Sequence, residues 1–295
     1  MEERAQIDLG DVTLSCTITD EGREGRERRE RPLVIAAHGF PDDATTFREQ
    51  VPALCAAGYR VAVPTMRGYA PSGLARSGRY DPEALGGDLI ALADRLSPGA
   101  PVRIIGHDWG AIAGFAAVAL APGRVSHFAS LAIPHLRAAL PRFLSPAQLR
   151  RSWYIGLFQI PGVAEARLAA DDLALIERLW RAWSPDYRPS ADELTAVKDG
   201  IRDRIGPVLA YYRSLPRFLA GPSRRLLLGR TQVPTLRLHG ADDGCIGVET
   251  GRGEERCYEA ETEIRPIAGA GHFLQRERPA EVNEALLSFF RRELP

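Results

Sequence analysis

The stretch RIIGHDWGAIAG, from Arg103 to Gly114, decides how the rest of this sequence is read. It starts as an apolar strand-like run, ends as an Ala-rich helix-like run, and places Gly106-His107-Asp108-Trp109-Gly110 at the switch. A strand that turns straight into a helix brings the two backbones close together, so small residues are needed two positions either side of the turn. Gly106 and Gly110 occupy those positions, and the side chain of Asp108 is then presented above the sheet. A helix N-cap is the other role an aspartate fills well at such a place.

Working outward, the same alternation continues in both directions. Ala5–Leu9 and Val12–Ile18 read as strands, and the charged run from Glu21 to Arg31 reads as a solvated loop because glutamates interleave the arginines throughout. LVIAA from Leu33 is an apolar strand ending in His38-Gly39-Phe40-Pro41, followed by a helix from about Thr46 to Ala57 and a strand over Arg60–Pro64. Asp81-Pro82-Glu83 has the form of an N-cap with proline in the first turn, opening a helix to Leu96. Val102–Ile105 and Val125–Ala132 flank the Ala-rich helix as strands. Short apolar strands alternating with helices predict a mostly parallel central sheet flanked by helices on both faces.

From Pro134 to Gly229 strand patterns vanish. Ser145-Pro146-Ala147-Gln148 and Ser190-Ala191-Asp192-Glu193 both carry the capping-box pattern, so this region is expected to be an inserted helical cap. Sheet character returns with Pro234–His239 and Glu263–Ile267, and Pro279–Arg292 reads as a closing amphipathic helix. The expected organisation is a core in two parts, 1–133 and 230–295, with the cap at 134–229.

The bulk numbers exclude several classes. The 38 basic and 38 acidic side chains balance, which gives no reason to expect a nucleic-acid partner, and Lys198 is the only lysine. Cys16, Cys55, Cys245 and Cys257 form no C-x-x-C pair and no zinc spacing, so free thiols and no metal are expected. The charged N-terminus has no apolar leader, and the longest apolar run, Ala111–Ala121, is far short of the roughly 20 residues a membrane span needs. A cytoplasmic protein without a membrane partner is the expectation, and a homodimer stays open.

Chemistry follows from aspartate standing where a serine would need a base to activate it. A carboxylate, ordinarily ionised above a pH of about 3.9, is already anionic. It is a modest nucleophile, suited to displacement at an sp³ carbon, and its product is an ester that a second step must hydrolyse. Leu238-His239-Gly240-Ala241-Asp242-Asp243 ends a strand with two adjacent carboxylates, and Ala270-Gly271-His272-Phe273 follows the last strand. Nucleophile, acid and histidine thus come in the order of elbow-bearing hydrolases, with His272 the water-activating base and either Asp242 or Asp243 behind it. The backbone N–H groups of Phe40 and Trp109, with His38, Gly39 and Pro41 shaping the turn, are the candidate oxyanion donors. No cofactor is called for.

HGFPD (His38 to Asp42), MRGYAPSG (Met66 to Gly73), GHDWGA (Gly106 to Ala111), LHGADDG (Leu238 to Gly244) and GHFLQRERP (Gly271 to Pro279) span most of the chain. In this order they resemble the epoxide hydrolase branch of the α/β-hydrolase fold superfamily. The resemblance implies an α/β-hydrolase fold and hydrolysis of an epoxide to a vicinal diol by way of a covalent aspartyl ester. It selects Asp243, third after the strand-ending Gly240, as the acid. It also implies two cap tyrosines that hydrogen-bond the epoxide oxygen. Tyr154, ahead of Phe158-Gln159-Ile160-Pro161-Gly162, matches the first, and Tyr211-Tyr212-Arg213 matches the second, with Tyr212 the residue in register and Tyr211 its competitor. Phe158, Trp180, Trp183, Phe218 and Leu219 are expected to line an apolar pocket.

Dehalogenases share the aspartate nucleophile. Haloacetate dehalogenases carry arginines one and four residues after it, where this chain has Trp109 and Ile112. Haloalkane dehalogenases share the tryptophan but pair it with a second Trp or Asn, and Phe40 stands where that Asn often follows His-Gly. A haloalkane or haloacetate dehalogenase and a non-catalytic hydrolase homologue are therefore the alternatives to an epoxide hydrolase, and an epoxide and water the expected small-molecule partners.

Overall fold

In the central strands nearly every residue is buried, and successive side chains serve opposite faces of one sheet. Leu33, Ile35 and Ala37 of β3 (Leu33–Ala37) join one core, whereas Val34 and Ala36 join the other. The same split separates Ile104 from Ile105 in β5 (Val102–His107). This is the period-2 alternation of a strand covered on both faces. The protein is described by a computed structural model over residues 2–20 and 31–292, so the charged run from Glu21 lies, but for Arg31, outside the described residues.

Among those residues eight strands form one sheet in the order β1-β2-β4-β3-β5-β6-β7-β8. The remaining strands are β1 (Glu2–Asp8), β2 (Thr13–Thr19), β4 (Arg60–Pro64), β6 (Val125–Leu131), β7 (Thr235–Gly240) and β8 (Thr262–Ile267). β1 and β2 pair antiparallel, β2 meets β4 antiparallel, and all later neighbours are parallel.

Helices α1 (Gln50–Ala56), α2 (Pro82–Leu96) and α3 (Trp109–Leu120) follow the early strands. Asp81 caps α2 by accepting the Ala84 N–H at 3.2 Å, as the sequence predicts. α2 and α3 cross closely: a Cβ on Gly86 would stand 2.7 Å from the Ala117 nitrogen. The first turn of the helix expected from Thr46 is instead a 3-10 turn, Ala44–Phe47, capped by Asp43. Thr46 is committed elsewhere, since its Oγ1 accepts from Gln275 at 2.7 Å.

Between β6 and β7 every element is helical. The principal ones are α4 (Trp153–Phe158), α5 (Val163–Trp183), α6 (Ala191–Arg202) and α7 (Ile205–Ala220). α5 is interrupted at Ala170–Leu173, where Asp171, Asp172 and Leu173 have positive φ. Ser190 and Glu193 close both arms of a capping box on α6. The Ser145 box is half made, because the Gln148 side chain bonds Cys245 O and the Gly247 N–H instead of returning to its own cap. The last helix, α8 (Pro279–Phe290), packs Val282, Leu286, Phe289 and Phe290 against the core that holds Leu54 of α1.

Candidate active site

The ends of the parallel strands deliver each candidate group to the same side of the sheet, where open α/β sheets bind their ligands. At the end of β5, Asp108 has φ 51 and ψ −120, a conformation non-glycine residues rarely hold. The glycines around it make the strained turn feasible. A Cβ on Gly110 would collide with the Ala37 carbonyl of β3, and one on Gly106 would collide with the Gly110 carbonyl. No larger residue fits between strand and helix at either place.

After β3 the chain passes directly over Asp108, and the Phe40 N–H donates to Asp108 Oδ1 at 2.8 Å. A Cβ on Gly39 would fall on Asp108 Oδ1 and 2.6 Å from the Trp109 nitrogen, so the loop that carries Phe40 packs directly against Asp108 and the start of α3. His38 fixes this loop rather than reacting. Its Nε2 accepts the Met66 N–H at 3.0 Å, which leaves the proton on Nδ1, 3.0 Å from Gly39 O.

β7 delivers Asp243, and the turn after β8 delivers His272. His272 Nδ1 lies 2.9 Å from Asp243 Oδ2, while His272 Nε2 points at Asp108 Oδ2 from 3.7 Å and has no hydrogen-bond partner. Asp243 Oδ1 accepts the N–H groups of Cys245 at 2.7 Å and Ile246 at 2.9 Å. Burial disfavours the Asp243 anion, but His272 and His239 outweigh it and hold the carboxyl below its ordinary range. Burial likewise opposes charge on His272, yet Asp243 and Asp108 together push it up to about 10. Asp242, by contrast, is exposed. His107 sits beneath, with Nε2 2.9 Å from His272 O; burial and the neighbouring His272 lower it to about 4, so it is a neutral support.

A group whose folded pKa is raised stabilises the fold fully below its unfolded value, here 6.5, and loses that contribution as pH climbs through about 10. The expected result is a decline in melting temperature between pH 7 and 10 that is steeper for the wild type than for His272→Gln. Parallel declines in thermal scans of the two proteins would contradict a His272 charge held by the two carboxylates.

Above the sheet, Tyr154 of α4 and Tyr212 of α7 face each other with ring centroids 5.8 Å apart. Tyr212 also packs on Trp109 at 5.1 Å and Phe40 at 5.5 Å, and its hydroxyl is buried without a partner. Tyr154 Oη lies 3.3 Å from Cys245 Sγ. Burial raises both phenols well above 10, and the Asp108 charge adds to it, so both keep their protons. Tyr211 is spent elsewhere, donating to Arg67 O at 2.7 Å. The Phe-Gln and Tyr-Arg pairs bind reciprocally: Gln159 Nε2 donates to Tyr212 O at 3.1 Å and Arg213 Nε to Phe158 O at 2.9 Å. These bonds fix α4 and α7, and hence the two tyrosines, relative to each other.

Phe158 and Trp183 border this space, with Trp183 5.1 Å from the His272 ring. Trp180 stacks on Phe273 at 4.1 Å and bonds Pro41 O. Phe218 lines an outer groove with Arg79, Arg217 and Pro222. Three partners escaped the sequence reading: Cys245, Gln148 and Arg276. Arg276 is buried, bonding Asp42 at 2.7 Å in the core and Glu193 of α6 at 2.8 Å, so it ties α6 to the loop after β3. Only their proximity to recognised motifs could have flagged them.

Asp243, Cys245 and His272 offer ligand atoms within 4.8 Å of one another. Asp243 Oδ1 already accepts two N–H groups and its Oδ2 holds His272, so these atoms serve a hydrogen-bonded relay better than a metal. Among the described residues no helix is long and apolar enough to cross a membrane.

The family model of the α/β hydrolase fold matches residues 32–279. Epoxide hydrolase A of Mycobacterium tuberculosis is 35% identical over 88% of this chain and 90% of its own length. Epoxide hydrolase 3 of Xenopus tropicalis is 28% identical over 90% of this chain and 73% of its own. The crystal structure of epoxide hydrolase A from Mycobacterium thermoresistibile superposes with a TM-score of 0.85 at 30% identity, covering 100% of both chains. On the strand order, the strained turn at Asp108 and these likenesses together, the chain belongs to the α/β-hydrolase fold family, in its epoxide hydrolase branch.

Proposed function

We infer that this protein is an epoxide hydrolase that converts an epoxide to a vicinal diol, with Asp108 as nucleophile. The observation that carries the reading is the opposition of a carboxylate to an unpartnered phenol across a buried aromatic box. Asp108 lies below, and Tyr212, its hydroxyl free, lies above with Tyr154. Asp108 attacks an epoxide carbon from the side opposite the ring oxygen, while Tyr154 and Tyr212 donate hydrogen bonds to that oxygen as its C–O bond breaks. An alkoxide is a poor leaving group, so this donation lowers the barrier where charge develops.

Ester formation then changes the site's electrostatics. Two carboxylates hold the proton on His272 in the free enzyme, and esterification removes the charge of one of them, Asp108. His272 becomes easier to deprotonate when a base is needed. It gives up that proton, by way of the lid tyrosine hydroxyls, to the alkoxide left by ring opening. Then, oriented by Asp243, it takes a proton from water that attacks the ester carbonyl, and the Phe40 and Trp109 N–H groups hold the resulting oxyanion. As the ester C–O bond breaks, His272 returns the proton to the departing diol oxygen, and the carboxylic acid left at Asp108 ionises back onto His272. Residues 134–229 act in this reading as a lid over a core formed by 1–133 and 230–295.

Aryl, alkyl and fatty-acid epoxides assayed beside haloalkanes and haloacetate test the reading. Diol from at least one epoxide class and no halide release is the expected outcome. Halide release without diol would assign the same aspartate to dehalogenation.

A further inference from the structure

The two lid tyrosines are not equivalent. Tyr212 Oη has no partner, whereas Tyr154 Oη meets Cys245 Sγ at 3.3 Å. Cys245 is also the residue after which the acid loop is anchored. Its N–H donates to Asp243 Oδ1 at 2.7 Å, and its carbonyl accepts from Gln148 Nε2 at 2.8 Å. The other end of the Gln148 amide accepts the Gly247 N–H at 3.0 Å, so a single lid side chain brackets residues 245–247. Cys245 thus touches the acid through its backbone and the lid phenol through its side chain, and none of its surface is exposed.

Both groups at this contact keep their hydrogens. Burial, with Asp243 and Asp108 nearby, drives the thiol well above its ordinary range, so the sulfur carries its hydrogen. Two neutral donors then meet, and one hydrogen lies between them. Either atom can donate, and the arrangement with S–H donating to Oη is the one that leaves the phenolic hydrogen free for a substrate oxygen. In that arrangement the phenolic hydrogen is not held by the sulfur.

Resting on the reading of Tyr154 as an oxygen-activating donor, we propose that Cys245 is a positioning residue for ring opening: its S–H bonds Tyr154 Oη and so aims the phenolic hydrogen at the epoxide oxygen. As that oxygen gains charge and draws on the phenol, the S–H bond to Oη tightens, since linked hydrogen bonds polarise one another. A role in holding Asp243 is separable, because the backbone N–H that does so survives any side-chain substitution.

Single-turnover measurements with styrene oxide test this, following ester formation and ester hydrolysis separately by rapid-quench mass analysis. Cys245→Ala is expected to slow ester formation about 5-fold, the worth of one hydrogen bond of about 1 kcal/mol, with ester hydrolysis unchanged. Cys245→Ser, which keeps a donor, is expected to form ester at close to the wild-type rate. In a Tyr154→Phe background Cys245→Ala is expected to add nothing. An equal effect of Cys245→Ala with and without the Tyr154 hydroxyl, slowed ester hydrolysis, or no effect at all would each overturn the proposal. Tyr154→Phe leaving ester formation unchanged would overturn the underlying role of Tyr154 as well, and so tells the two failures apart.

Discussion

His272→Gln is expected to stall the enzyme halfway, accumulating protein heavier by one substrate mass while steady-state turnover falls by a factor of about 10² to 10⁴. His272 Nε2 has no hydrogen-bond partner within the protein and lies 3.7 Å from Asp108 Oδ2, so a water held by Nε2 is within reach of the ester that Asp108 becomes. Glutamine keeps much of the volume but cannot take a proton. The first step needs only the Asp108 anion and the lid donors, which the substitution leaves in place. Intact-protein mass spectrometry during turnover checks this. An unmodified mass accompanied by lost activity would mean that His272 is needed before any bond to Asp108 forms.

Removing both lid hydroxyls acts on the other half of the cycle. Tyr154→Phe with Tyr212→Phe is expected to slow ester formation by roughly 10³-fold or more, because general acid assistance typically contributes 10² to 10⁴. Each single substitution is expected to cost less, since the remaining phenol still reaches the oxygen. The fold should tolerate the changes: Tyr212 Oη bonds nothing in the protein, and Tyr154 Oη meets only the Cys245 sulfur. Rapid-quench measurement of ester formation, with melting temperature as a control on folding, decides it. A double variant that forms ester at the wild-type rate would remove the tyrosines from the chemistry.

Local signals in the sequence carried the architecture. Alternating side-chain faces in Leu33–Ala37, the Asp81-Pro82 cap and the Gly106/Gly110 pair each act within a few residues, so their consequences are readable without knowing the rest of the chain. The order of the segments then placed Asp108, Asp243 and His272 after β5, β7 and β8, at one edge of the same sheet. Contacts made at long range left no such trace. Gln148 fits the pattern of a cap residue, yet its amide bonds residues nearly a hundred positions away, and that competition empties half of the capping box. Thr46 has the look of a helical residue, but Gln275 and Arg276 claim its hydroxyl. Nothing local in Tyr211-Tyr212 reveals that Arg67 O accepts from the Tyr211 hydroxyl.

Everything chemical in this account depends on the Asp108 carboxylate bonding covalently to substrate carbon. A single turnover in water enriched in heavy oxygen, with enzyme in excess over styrene oxide, tests that directly. If water attacks the ester carbonyl, one heavy oxygen stays in the peptide that contains Asp108, and the first diol released carries none. Label in that diol and none in the peptide would mean that water opens the ring itself, with Asp108 no more than its base.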